Sequence, residues 1–229
     1  MKFTTLNNAT LICESSAGTL LTLDPWLIGS LYFNTLIPST NPSNSQIKKL
    51  SISNYVYISH LHIDHWDPET IKLFKSDTNF ILPKLPFTEK VIGEKLNSYG
   101  FQNISYIKPS STLKIEKDIS ITFIPTLNYY GAEIEIYETI SDEFEKAIDT
   151  GLIINDLTSR TSHIALCDNT PYLPESGKLI KELVPSGFNI GSIWYPFNGA
   201  AQDFPLCYDN LEFDEKKKLV KERNIKRNL

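Results

Sequence analysis

The chain has little of what marks several large protein classes. Its 229 residues include 3 cysteines, Cys13, Cys167 and Cys207, widely spaced and without a CxxC pair. An odd, scattered set of thiols argues against a disulfide framework and fits a reducing compartment. No apolar run approaches the roughly 20 residues that span a bilayer. The opening, Met1-Lys2-Phe3-Thr4-Thr5, lacks the basic head and apolar stretch of a secretory signal. Basic residues number 22 against 27 acidic ones, for a formal net charge of -5. A broad surface for nucleic acid or an anionic membrane is therefore not expected. No GxSxG elbow, P-loop or GxGxxG occurs. Cys167 has no evident activating base and reads as core packing.

What is present supports a folded core. Hydrophobic residues make up 41% of the chain and charged residues 21%, a balance that excludes a wholly disordered, collagen-like or coiled-coil protein. The length suits one domain over residues 1–229, expected to be soluble and cytoplasmic. Thr10-Leu11-Ile12-Cys13 and Thr19-Leu20-Leu21-Thr22-Leu23 read as a hairpin, the second strand stopping at Asp24-Pro25. Residues 37–46 form a polar loop with two prolines. Tyr55-Val56-Tyr57-Ile58 is expected as a buried strand. Asp67-Pro68-Glu69-Thr70 opens a helix, with Asp67 as cap and Pro68 in the first turn. Strand runs follow at 80–82, 104–107, 115, 119–124, 152–154 and 164–166, with helices at 87–98 and 176–183. Residues 192–197 are expected as another buried strand. Strands clustered early and then mixed with helices predict sheets covered by helices. From Lys216 onward, 7 of the last 14 residues are Lys or Arg, which reads as a solvated helix face.

One segment carries chemistry: Ser59-His60-Leu61-His62-Ile63-Asp64-His65-Trp66, which holds three of the chain's 4 histidines directly after a predicted strand. In extended backbone His60 and His62 project to the same side, so their imidazoles can share one metal ion. A turn toward Asp67 would let Asp64 and His65 face a second ion. Imidazole–carboxylate mixtures suit zinc, iron or manganese. Such an ion lowers the pKa of bound water toward about 7.

This HxHxDH motif resembles that of the metallo-β-lactamase-fold superfamily. Leu23-Asp24-Pro25-Trp26-Leu27-Ile28-Gly29, Asp149-Thr150-Gly151-Leu152-Ile153-Ile154 and Phe197-Asn198-Gly199-Ala200-Ala201-Gln202-Asp203-Phe204-Pro205 resemble the metallo-β-lactamase-like part of CMP-N-acetylneuraminate hydroxylases. The ascorbate-phosphate lactonases are more distant relatives. The resemblance covers roughly residues 9–213 and implies an αββα sandwich (α/β, α+β class) with metals at one edge of its two sheets. It implies His60 and His62 on a first metal and Asp64 and His65 on a second, with Asp168 bridging both. Asp64 would handle the water proton, and Asp24 would orient ligands from beneath. The Asn198-Gly199 turn is a candidate substrate loop.

Departures from the family pattern open alternatives. A full dinuclear site of this type uses five histidines, whereas this chain has 4, and His163 reads as a strand residue. Asp142, Glu143 or Glu145 could stand in for the missing middle-loop histidine, which would favour iron or manganese. Relatives continue past the position of Leu229 with a further strand and helix. The chain is therefore a fragment shortened at its C-terminal end, a protomer completed by a second copy, or a degenerate site. The hydroxylases carry a Rieske domain, and no Cys/His pattern for one exists here. Three functions follow: a hydrolase of small-molecule esters, phosphodiesters or lactones using one or two divalent ions, zinc first; an iron-type oxygenase module needing a separate redox partner; or a metal-poor scaffold.

Overall fold

The computed structural model describes residues 1–7, 9–33, 36–38, 41–60, 62–85, 88–125, 150–166, 174–194 and 212–218. Strands β1 (Lys2–Thr5), β2 (Leu11–Glu14), β3 (Leu20–Leu23), β4 (Tyr55–Tyr57), β5 (Asn79–Pro83) and β6 (Ile104–Ile107) form one sheet in chain order. The first three run antiparallel, and β3 to β6 run parallel. A second sheet has the order β11 (Asn189–Trp194), β10 (Thr161–Ala165), β9 (Gly151–Asp156), β8 (Ile119–Ile124) and β7 (Thr112–Lys114), with only β10 and β11 parallel.

Period-two alternation assigns each strand residue to a layer. Leu11, Cys13, Leu21, Leu23, Tyr57 and Ile81 of the first sheet meet Ile119, Ile121, Phe123, Leu152 and Ile154 of the second. The other face of the first sheet, with Ile12, Val56, Phe80 and Leu82, lies under Leu50 of α1 (Asn44–Ser51), Ile71 of α2 (Pro68–Ile71) and Leu96 of α3 (Glu94–Ser98). On the far side, Ile124, Ile153 and Ile164 pack against Ile180 and Leu183 of α4 (Pro174–Leu183). The result is the expected αββα layering. Both central strands β8 and β9 are buried along their whole length, which explains their near-continuous apolar character.

Several expectations need correction. Residues 44–51, partly assigned to a polar loop, form α1: Ser43 and Gln46 make a capping box, with Ser43 Oγ accepting from Gln46 N and Gln46 Oε1 accepting from Ser43 N. Strand β1 leaves no clear pattern of its own. The expected strand at Ile115 lies one position earlier, at Thr112–Lys114. The helix expected at 87–98 begins as a π-helical stretch, Thr88–Gly93, before α3. The strand expected to be buried at 192–197 is β11, an edge strand with Ile190 and Ile193 exposed. The basic residues 216–218 lie on helix and are largely exposed. No helix among the described residues is long and apolar enough to cross a membrane.

Two threonines anchor the segment between β3 and α1. Thr10 Oγ1 accepts from Trp26 N and contacts the Asp24 and Trp26 carbonyls. Thr70 Oγ1 accepts from Leu27 N (2.9 Å) and Ile28 N (3.2 Å) and donates to Asp67 Oδ2 (2.7 Å). Asp67 also caps α2 by accepting from Thr70 N. Thr70→Val keeps the shape and strands these buried groups, so a loss of about 1–3 kcal/mol is expected in urea denaturation. Thr70→Ser, which keeps the hydroxyl, loses less.

Candidate metal centre

Parallel β3 and β4 end at the same sheet edge, and the candidate residues follow directly from those ends. After Leu23 the chain turns through Asp24, whose backbone has φ 44°, a left-handed conformation that aspartate tolerates better than bulky residues. Asp24 N donates to Tyr57 O at 2.9 Å. Its carboxylate reaches across the strand end: Oδ1 accepts from Ser59 N (2.7 Å) and Oδ2 from Ser59 Oγ (2.8 Å). The same Oδ2 lies 3.1 Å from His65 Nδ1. The second sheet joins at this point, because Thr150 Oγ1 donates to Ser59 O (2.9 Å) and shares a 2.8 Å hydrogen bond with the Tyr57 hydroxyl.

His60 is fully buried and His62 continues in extended backbone. Their ring nitrogens converge: His60 Nε2 and His62 Nδ1 stand 2.8 Å apart. A 3-10 turn over Ile63–His65 then swings the next pair round. His65 Nε2 lies 3.8 Å from Asp64 Oδ2, and the His60 and His65 rings are 4.1 Å apart between centroids. The structure thus brings His60 and His62 together as one pair and Asp64 and His65 as a neighbouring one, with Asp24 beneath. His163 lies elsewhere, on β10, bonded through Nδ1 to Ser192 Oγ at 2.9 Å. Asp142, Glu143, Glu145, Asp168, Asn198 and Gly199 lie outside the described residues.

Ser59 joins this cluster in a way the motif alone did not reveal. It has a single hydroxyl proton, and that proton goes to Asp24 Oδ2. The 2.9 Å contact between Ser59 Oγ and His60 Nδ1 is then donated by the imidazole. This tautomer leaves a lone pair on His60 Nε2, aimed at His62. Burial, then the nearby His65 and His62, hold the His60 pKa well below its ordinary value, so the ring stays neutral and fit to ligate.

The donor set suits a divalent ion. Two imidazoles at about 2.0–2.1 Å from a tetrahedral ion keep their nitrogens about 3.3 Å apart, slightly wider than the 2.8 Å found here. A small opening of the pair admits the ion in place of the shared hydrogen. Among the described residues no group of three His, Cys, Asp or Glu stands ready to hold a metal. Either pair alone would be only part of a coordination shell.

Acid should weaken the metal-free protein. Burial and the Met1 ammonium also lower the His163 pKa, with Asp156 opposing. Unfolded histidines titrate near about 6.5. Below that pH the unfolded chain takes up protons that folded His60 and His163 resist, so stability falls as pH drops. Chelator-treated protein should show a lower urea midpoint at pH 5.5 than at pH 7.5, and His60→Gln should narrow the gap. An unchanged gap in the variant would remove His60 as its source.

No protein-family model matches the chain. A Mycolicibacterium smegmatis protein named as a Rieske 2Fe-2S iron–sulfur protein is 36% identical over 106 residues, 45% of this chain and 19% of its own. The cytidine monophosphate-N-acetylneuraminic acid hydroxylase of Sus scrofa is 22% identical over 197 residues, 85% of this chain and 39% of its own. The chain thus spans about a fifth to two fifths of the length of these relatives. Among solved structures, an isothiocyanate hydrolase from Delia radicum gut bacteria superposes with a TM-score of 0.57 at 21% identity, covering 81% of this chain and 68% of that one. The structural likeness shows the fold.

Proposed function

We propose that this chain, which has the metallo-β-lactamase fold, is a metal-dependent hydrolase that holds one or two divalent ions on the HxHxDH residues. The observation that carries this reading is the convergence of His60 Nε2 and His62 Nδ1 at 2.8 Å beside the Asp64–His65 pair. An ion held there would supply Lewis acidity and lower the pKa of bound water toward about 7, so that hydroxide would be available near neutral pH for attack on an ester, phosphodiester or lactone. His60 and His62 bind the first ion, with Ser59 and Asp24 fixing the tautomer of His60. Asp64 and His65 bind the second, and Asp24 Oδ2 beside His65 Nδ1 orients that ring. Asp64 is more open than Asp24, with 23% of its side chain exposed against 12%. That exposure supports assigning to Asp64 the proton of the attacking water. Asp168 is the proposed bridging ligand, and Asn198-Gly199 the proposed substrate loop. Zinc is the first choice of metal from the imidazole-rich set.

A second reading is favoured by the sequence relatives, which are named for a Rieske centre and for a hydroxylase. In that reading the chain is an iron-binding part of an oxygenase that draws electrons from a separate redox partner.

Elemental analysis separates the readings. Protein purified without chelator should carry one to two equivalents of zinc, and His62→Ala should lose at least half. Stoichiometric iron selects the oxygenase reading. No metal in wild type, even after soaking with zinc, iron and manganese, overturns both and leaves a scaffold. With zinc bound, Asp64→Asn should lower turnover of a screened phosphodiester or lactone substrate by about 10²–10⁴-fold.

A further inference from the structure

Beyond the DPWLIG segment the chain makes a tight loop closed by Leu31 and Leu36. Leu31 N donates to Leu36 O at 2.8 Å, and Leu36 N returns to Leu31 O at 3.3 Å. Next to that bridge, Tyr32 and Phe33 hold φ 49° and 58°. Bulky residues rarely adopt this left-handed region, and its occupation needs a compensating contact. Tyr32 is 47% exposed and Phe33 fully so, so burial of their rings does not supply it. The Tyr32 hydroxyl, in contrast, reaches 32 positions along the chain and donates to Asp64 Oδ1 at 3.1 Å.

That bond divides the Asp64 carboxylate. Oδ1 faces the phenol, and Oδ2 faces His65 Nε2 at 3.8 Å. The terminal torsion of an aspartate is broad, so an untethered carboxylate at this partly exposed position is free to turn or to chelate with both oxygens. We propose that Tyr32 is a positioning residue of the metal centre: its hydroxyl holds Oδ1 and presents Oδ2 alone to the ion shared with His65. The inference deepens the hydrolase reading and rests on it. It also gives the left-handed backbone at Tyr32 a compensating contact, the phenol on Asp64.

The test is a zinc titration in competition with a chromophoric chelator, run on wild type, Tyr32→Phe and Asp64→Ala. Tyr32→Phe removes one hydroxyl from a half-exposed ring, and a melting temperature close to wild type will show that it folds. Removing a partner that orients a ligand typically costs 10–100-fold in metal affinity. Tyr32→Phe should therefore weaken one zinc by about 10-fold or more and leave the His60–His62 zinc unchanged, whereas Asp64→Ala should abolish the weakened one. A second readout uses metal-free protein: chymotrypsin should nick the 32–33 loop severalfold faster in Asp64→Ala than in wild type, because the tether is gone. Equal zinc affinities in wild type and Tyr32→Phe overturn this proposal and leave the hydrolase reading standing. No zinc bound by wild type overturns both.

Discussion

The buried Asp24 carboxylate ties the ends of two parallel strands into one site. It stands where β3 ends and accepts both the backbone N–H and the hydroxyl of Ser59, just beyond the end of β4. A carboxylate out of water is costly unless its oxygens are satisfied, and here they are met by Ser59 and approached by His65. The rest of the histidine cluster follows from that arrangement. Ser59 spends its only proton on Asp24, so His60 donates from Nδ1 and accepts at Nε2. One buried carboxyl group thereby sets the tautomer of a ring two hydrogen bonds away.

The layers explain why this arrangement stays in place. The Asp24 turn is pinned on one side by Thr10, just before β2, and at Leu27 and Ile28 by Thr70 from α2. From the opposite sheet, Thr150 holds the Ser59 carbonyl. The candidate site is therefore built by strands, a short helix and the second sheet together, which favours precise geometry over the mobility of a free loop. By contrast, the Asp64 carboxylate is more open to solvent and is met by the Tyr32 loop. The site has a rigid, buried side at His60 and a more accessible side at Asp64.

Much of this was legible from local pattern. The HxHxDH spacing places His60 and His62 on one side because side chains alternate in extended backbone, and the capping chemistry of Asp67-Pro68 announces the turn that separates Asp64 and His65 from them. The hairpin and the buried strands showed through runs of leucine, isoleucine and threonine. Helix α1 was partly hidden in a polar stretch whose capping box is a side-chain arrangement. The strand expected over 192–197 looked buried because Ile193 and Trp194 are apolar, but β11 lies at a sheet edge and leaves Ile190 and Ile193 exposed. Burial is decided by neighbours, and an apolar strand does not name them.

The division follows from range. By itself the sequence determined the alternation that layers the sandwich, the apolar strands that fill it, and the pairing of metal-type donors within six residues of one another. Those are properties of 2.0 and 3.6 residue periods and of short-range turn chemistry. Only the tertiary structure decided that Ser59 would order His60 through Asp24, 35 residues away, and that Tyr32 would meet Asp64 across 32. Hydrogen bonds between such distant positions depend on how parallel strands register and how loops close, and no local pattern encodes either.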